Sequence, residues 1–130
     1  MSSITHEMEV SDVWWVLILN GLKTVEGRKN SPKWSKIKVD DYIKMTNGDK
    51  HFIVKVTKIN KYLSFRSEDE SKNDVLWDNP LLAYLENEGL NNALPGVVTY
   101  EEGMRIYLQW STISEIKKYG FLGIHVKVIE

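Results

Sequence analysis

The chain of 130 residues contains no cysteine, only three histidines and no long apolar run. The absence of cysteine excludes a disulfide framework and a zinc ribbon. No histidine pair has metal-ligand spacing, so we expect no metal site and no cofactor. The longest apolar run, Val13 to Leu19, has seven residues, whereas a membrane span needs roughly 20. With no basic and apolar leader at the N-terminus, we expect an intracellular protein without a membrane segment.

The formal net charge of −1 gives the whole chain no nucleic-acid signature. The charges are unevenly distributed, however. Residues 23–61 hold eleven Lys and Arg against four Asp and Glu, whereas residues 66–102 hold two against nine. The basic segment suggests a polyanionic partner, and the acidic segment suggests a protein partner. In the alternative interpretation, both segments are simply solvated surfaces.

The apolar pattern predicts a single α+β domain over residues 1–130. Strands are predicted at 5–10, 24–28, 42–46, 51–59 and 121–129, and helices at 12–20, 80–89, 99–110 and 112–120. Asn47-Gly48 predicts a β-hairpin between the third and fourth strands. The predicted helix starts are the N-cap Ser11, Asn79-Pro80, and the capping-box spacings Thr99 to Glu102 and Thr112 to Glu115. Residues 67–78 are predicted to be a loop or a loose helical turn, and residues 90–98 a loop. Consecutive strands in the first half have no long crossover helix between them, which argues against a doubly wound parallel sheet.

Several side chains carry individual expectations. The first helix is apolar nearly all round, so it should be buried. Trp34 and Tyr42 lie in the basic segment and could stack a base. Trp77 and Trp110 are expected to pack in the core, and His125 is expected to be partly exposed on a strand.

The segment Gly21-Leu22-Lys23-Thr24-Val25-Glu26-Gly27-Arg28 follows the first helix directly. Glu26 and Arg28 are two residues apart on a predicted strand, so they share a face. Together with Lys23 they could form the floor of a polar pocket, where burial can lower the pKa of a lysine and make it a base. The alternative is a surface turn with an ion pair worth ~0–1 kcal/mol.

This spacing, Gly-x-Lys-Thr-x-Glu-x-Arg after a helix, resembles the motif of the ASCH family, a branch of the PUA-like superfamily. The resemblance extends to further segments, which are His6-Glu7-Met8, Lys38-Val39-Asp40-Asp41-Tyr42-Ile43-Lys44, Leu94-Pro95-Gly96-Val97 and Lys118-Tyr119-Gly120-Phe121-Leu122-Gly123-Ile124. Asp40 departs from the family, which usually has glycine before the following aspartate.

The resemblance implies a small PUA-like β-barrel of about five strands, with helices packed around it and a cleft at the motif. The implied ligand is RNA, another single-stranded nucleic acid or a nucleoside. The residues expected to bind it are Gly21, Lys23, Thr24, Glu26, Arg28 and Trp34.

The resemblance also leaves an enzyme open. One bacterial branch hydrolyses N4-acetylcytidine with a Lys and a Thr of the motif and a distant Glu. Lys23 and Arg28 match that branch, but Glu26 occupies the position of the Thr nucleophile. A hydrolase acting on N4-acylated cytidine-like nucleosides or on RNA would therefore use Lys23 and Glu26 as catalytic residues. A third hypothesis is a protein-interaction adaptor that uses the acidic segment 66–102.

Overall fold

Five strands and five α-helices form the architecture of the computed structural model, which describes residues 5–64 and 79–129. The elements are β1 (Thr5–Glu9), α1 (Asp12–Leu19), β2 (Val25–Lys29), a 3-10 turn (Trp34–Lys36), β3 (Tyr42–Asn47), β4 (Lys50–Tyr62), α2 (Pro80–Glu88), α3 (Leu90–Ala93), α4 (Tyr100–Tyr107), α5 (Ile113–Tyr119) and β5 (Phe121–Val128). The predicted loop 67–78, with Trp77, lies outside the described residues. In the described ranges, no helix has the length and apolar character that crossing a membrane requires.

The strands form one curled sheet, a half-barrel with the order β1-β3-β4-β5-β2. β1 runs parallel to β3, and the other pairs are antiparallel. The predicted hairpin is present, because Asn47 pairs with Lys50 across the Gly48-Asp49 turn. The architecture confirms the predicted α+β class and the PUA-like barrel of five strands.

Side chains on the two faces of β5 enter two different apolar cores. Leu122, Ile124 and Val126 enter a core formed by α1 and strands β1, β3 and β4. Phe121, on the opposite face, enters a second core that also contains α2, α3, α4 and α5. Because successive strand residues point to opposite faces, β5 is covered on both sides at its start.

The prediction that α1 is buried all round is wrong. Trp15 and Ile18 are buried, but Val13 is 63% exposed and Val16 is 46% exposed. The helix has eight residues, and only one of its sides lies on the sheet. Among the described residues, no further layer covers the other side, so its apolar residues remain in contact with solvent.

The segment 90–98, predicted as a loop, begins with the helical turn α3. The amide of Ala93 donates to the carbonyl of Gly89, and that of Leu94 to the carbonyl of Leu90. Ala93 and Leu94 are buried in the second core. An isolated turn with the sequence Leu-Asn-Asn-Ala would not be stable, so tertiary burial accounts for it.

The starts of α2, α4 and α5 agree with the predicted caps, whereas the side chain of Ser11, before α1, makes no capping hydrogen bond. The Asn79 side chain accepts hydrogen bonds from the amides of Leu81 and Leu82, with Pro80 at the first helical position. Thr112 and Glu115 form a complete capping box, and Thr99 accepts from the amide of Glu102. These side chains satisfy amides that the first helical turn leaves without a partner.

Asp40 adopts a left-handed backbone conformation, with φ 79°. Its amide donates to the carbonyl of Val56 at 2.8 Å, so the turn is fixed against β4. This conformation explains why the resemblance leads one to expect glycine here, since a Cβ atom makes it costly by roughly 1–2 kcal/mol in general and by less for Asp.

We therefore predict that Asp40→Gly raises the free energy of unfolding by about 0.5–1 kcal/mol. Its exposed ion pair with Lys55, at 3.6 Å, is a minor loss. Urea denaturation of the wild type, Asp40→Gly and Asp40→Ala checks this, and the expected order of stability is Gly, then Asp, then Ala. Equal losses in both variants would show that the backbone strain is not significant.

Candidate functional site

A cavity of about 840 Å³ opens beside β2, the end of β1, the start of α1 and the end of α4. Of the six predicted ligand-binding residues, four line it, which are Lys23, Glu26, Arg28 and Trp34. Further side chains on its wall include Glu9, Asp12, Trp14, Lys29, Lys33 and Trp110. Its volume is within the range of roughly 300–1,000 Å³ that is usual for small-molecule sites.

The buried carboxylate of Glu26 lies between two cations. Its Oε1 is 3.3 Å from the Nζ of Lys23. Its Oε2 is 2.9 Å from the Nε of Arg28 and 2.8 Å from its Nη2. Burial raises the pKa of Glu26, but Arg28 and Lys23 outweigh that effect and hold the pKa below its usual value. Glu26 is therefore ionised at neutral pH and bridges the two cations.

Lys23 is almost completely enclosed, with a side chain 1% exposed. Its Nζ donates to the carbonyl oxygen of Val25 at 2.8 Å and to that of Ala93. With Glu26, these acceptors account for the three N–H groups of an ammonium. Burial lowers the pKa of Lys23, against the opposing effect of Glu26. The helical turn α3 thus contributes to the site by placing the carbonyl of Ala93.

Arg28 connects β2 to β1 and to an aromatic ring. Its Nη2 donates to the carbonyl oxygen of Glu9 at 2.9 Å. Its guanidinium lies 5.3 Å from the ring centroid of Trp34, and the Nζ of Lys33 lies 4.7 Å from the same centroid. The Arg28 side chain is 23% exposed, and its Nη1 makes no hydrogen bond to any described residue. That edge of the guanidinium can bind a ligand in the cavity.

Gly21 and Thr24 lie apart from this arrangement. They border a smaller cavity of about 350 Å³ with Ile18 and Val128. Gly21 has φ 79° after the end of α1, a conformation that glycine adopts without strain. The Thr24 amide donates to the carbonyl of Asn92. In the described structure, both residues shape the chain around Lys23 and do not line the large cavity.

The structure also gives a reason for Gly27, between the two charged residues of the motif. A Cβ atom there would come within 2.7 Å of the side chains of Phe121 and Tyr84. Glycine thus allows β2 to approach the aromatic rings of the second core. At this position the motif reflects packing.

The ASCH domain profile matches residues 8–129. The chain belongs to the ASCH domain family. Among solved structures, it is similar to the crystal structure of the hypothetical protein PH0355, with 33% identity, a TM-score of 0.78, and coverage of 97% of this chain and 100% of the other. It is also similar to the NMR structure of protein PF0455 from Pyrococcus furiosus, with 31% identity, a TM-score of 0.72, and coverage of 98% and 99%. No curated protein matches significantly.

The prediction that Trp110 of this ASCH domain packs in the core is wrong, because the residue is 57% exposed. The predicted helix 99–110 ends at Tyr107, and a turn in which the Trp110 amide donates to the Tyr107 carbonyl carries the indole to the cavity rim. The default expectation that a tryptophan packs in the core therefore fails for this side chain. Trp14, half-buried in α1, also reaches the cavity.

A second polar cluster in this ASCH domain surrounds Glu88, whose side chain is 3% exposed. Its Oε1 is 2.7 Å from the Nε2 of His125. Its Oε2 accepts from the hydroxyl of Tyr62 at 2.5 Å and from the amide of Asn60 at 2.8 Å. Burial raises the pKa of Glu88, but these hydrogen bonds and His125 together hold it below its usual value.

Sequence analysis missed this cluster, because its members are far apart in the chain and have no common spacing. His125 is half-buried, in agreement with the predicted partial exposure. Within the described residues, no group of three or more His, Asp or Glu side chains is arranged to hold a metal ion. The cluster joins α2 to β4 and β5, so its evident role is to fasten the helical layer to the sheet.

We predict that Glu26→Gln lowers the free energy of unfolding at pH 7 by about 3 kcal/mol, because the change leaves two cations without their buried partner. The unfolded pKa of Glu is ~4.3, and the folded pKa of Glu26 is lower. The stabilisation is therefore complete above pH ~4.3 and is lost as the pH falls through the folded value.

Urea denaturation between pH 7 and pH 3 checks this prediction. The difference between wild type and Glu26→Gln should be constant near neutral pH and should shrink in acid. Glu86→Gln, on an exposed position of α2, is the matched control and should remain within about 0.5 kcal/mol of wild type. A Glu26→Gln difference that is small at pH 7, or that grows in acid, would contradict the assignment.

Proposed function

We propose that this ASCH domain binds single-stranded RNA or a nucleoside unit of it, with one base inserted into the cavity beside the motif. The observation that carries the proposal is the placement of an exposed indole, Trp110, on the same cavity as the cations Arg28, Lys29 and Lys33. Unpaired bases are recognised by stacking on aromatic or guanidinium planes, with cations for the phosphates.

The indole most open to a base is that of Trp110. Trp34 already has the guanidinium of Arg28 and the ammonium of Lys33 against its ring. Trp14 is half-buried against both apolar cores. Trp110, which is 57% exposed at the cavity, can offer a ring face without a rearrangement of the core. We assign the stacking contact with the base to Trp110. Trp34 instead holds the guanidinium of Arg28 in position.

The charges on the cavity favour an anionic ligand by a small margin. The cations on its wall are Lys23, Arg28, Lys29 and Lys33, and the acids are Glu9, Asp12 and Glu26. Glu26 is neutralised within the site, and Asp12 accepts a hydrogen bond from Asn47. Lys29 in turn lies 3.5 Å from the carboxylate of Glu115. With four cations against three acids on the wall, the affinity for a phosphorylated ligand should be modest and should fall with salt.

The base edge can be read by groups next to the ion cluster. Oε2 of Glu26 has two donors from Arg28, whereas Oε1 has only Lys23. A carboxylate oxygen can accept two hydrogen bonds, so Oε1 can still accept one from an exocyclic amine. The free Nη1 edge of Arg28 can donate to a base carbonyl or a phosphate. This pairing suits a base that presents a donor beside an acceptor, such as cytosine.

Hydrolysis is a second candidate, and the enclosure of Lys23 at the cavity wall favours it, since burial lowers the pKa of this lysine. A lysine with a low pKa can serve as a base. The geometry gives it less support, because the acceptors Val25, Ala93 and Glu26 occupy the Lys23 ammonium. A catalytic role would require Lys23 to leave at least one of these partners when the substrate binds.

Binding of a short single-stranded RNA at low salt, followed by fluorescence anisotropy, tests the proposed function. We predict that Trp110→Ala weakens binding by about 10-fold or more, because a stacked base contributes ~1–3 kcal/mol. The matched control is Tyr100→Ala, an aromatic at the start of α4, the helix that precedes the Trp110 turn, which is 42% exposed and does not line the cavity. It should bind as wild type does.

The same variants are titrated with free cytidine and N4-acetylcytidine, and the products are examined by chromatography. Loss of both oligonucleotide and nucleoside binding in Trp110→Ala, without product, supports a binding module. Deacetylation that disappears in Lys23→Met would favour the hydrolase instead. Equal affinities in Trp110→Ala and Tyr100→Ala would contradict insertion of a base at this cavity.

A further inference from the structure

A group of lysines lies on the sheet outside the cavity. Lys55 of β4 pairs with Lys127 of β5, and Lys58 of β4 pairs with His125. Residues paired across two antiparallel strands project from the same face, so the two pairs lie side by side on one face of the sheet. Lys55 and Lys127 place two positive charges directly opposite each other. We call Lys55, Lys58 and Lys127 the sheet lysines. None of them lines the large cavity.

A β-bulge creates this arrangement. The register shifts between Val56 and Lys58, so Thr57 has no register partner on β5, although its hydroxyl donates to the carbonyl of His125 at 3.4 Å. Residues three apart on a regular strand point to opposite faces. Because the bulge inserts one residue, Lys58 projects from the same face as Lys55. The face that continues past Lys58 carries Asn60 and Tyr62, which bind Glu88 of α2.

The helical layer ends before it reaches the sheet lysines. Glu88, the last residue of α2, contacts His125, but Lys58 and Lys127 are exposed. Among the described residues, Asp40 is the only acid within ion-pair distance of a sheet lysine, 3.6 Å from Lys55, with a side chain 74% exposed. Lys58 and Lys127 have no described ion-pair partner. The carboxylate of Glu88 lies on the same face, but His125, Tyr62 and Asn60 already bind it. Because like charges directly opposite one another on a sheet are destabilising, a bound anion would relieve the repulsion between Lys55 and Lys127.

We propose that the sheet lysines bind the phosphate backbone of a nucleic-acid strand, as a contact surface separate from the cavity. The exposed ammonium groups of Lys58 and Lys127, with partly exposed Lys55 beside them, match a chain of phosphates in charge and suit contacts that do not depend on base sequence. Half-buried Tyr42, which pairs with Lys55, borders the surface. Identification of the polyanion as nucleic acid rests on the function proposed above, whereas the location of the surface does not.

The test compares Lys55→Gln/Lys127→Gln with Lys61→Gln in the full chain. Lys61 is an exposed lysine on the same strand, but it pairs with Leu122 and so projects from the other face. Single-stranded RNA of about a dozen nucleotides is titrated at several salt concentrations. In the double variant, the slope of log K against log salt should decrease by about 1.4, since each phosphate contact on a single strand contributes ~0.7. Lys61→Gln should keep the wild-type slope.

Nucleoside binding distinguishes this surface from the cavity. The double variant should bind free cytidine as wild type does, whereas Trp110→Ala should lose it. If Trp110→Ala has no effect but the double variant still loses salt dependence, the cavity proposal fails and the sheet surface is retained. The nucleic-acid contact would be overturned if the slope in the double variant were unchanged, or decreased only as much as in Lys61→Gln. It would also be overturned if the wild type bound polyglutamate but not RNA.

Discussion

The buried carboxylate of Glu26 is the constraint on which the site depends. An ionised carboxylate removed from water is tolerated only with close partners, and Lys23 and Arg28 provide them. Those partners have further requirements. Lys23 needs the carbonyl of Ala93, and Arg28 bonds the carbonyl of Glu9. One charge therefore ties β2 to α3 on one side and to β1 on the other, across the open edge of the half-barrel.

Internal pairing also decides what the site can offer a ligand. A free Glu26 would repel phosphate and attract amines, whereas the paired residue leaves the outer edge of Arg28 as the main polar contact. The ring of Trp34 supports that guanidinium from one side. The paired motif residues form a polar wall of the cavity, and the exposed indole on the same cavity is that of Trp110, in the turn after α4.

Local signals predicted much of the fold. The Asn79-Pro80 start, the Thr112 capping box and the Asn47-Gly48 turn each depend on neighbouring residues, and all three are present. The incorrect predictions have one cause, because a short stretch of sequence does not say which elements pack against it. The exposed side of α1 and the helical turn at Leu90–Ala93 follow from tertiary layers that no short window contains. The predicted roles of the motif residues in ligand binding remain predictions.

The sequence by itself determined the family, the strand that carries Glu26 and Arg28 on one face, and the separation of basic and acidic segments. Periodicity and spacing are sufficient for these, because they are properties of adjacent residues. Only the tertiary structure decided that Lys23 is enclosed, that Trp110 reaches the cavity and that Glu88 meets His125. Such contacts join residues tens of positions apart, and the curl of the sheet and the path of the helices fix their distances.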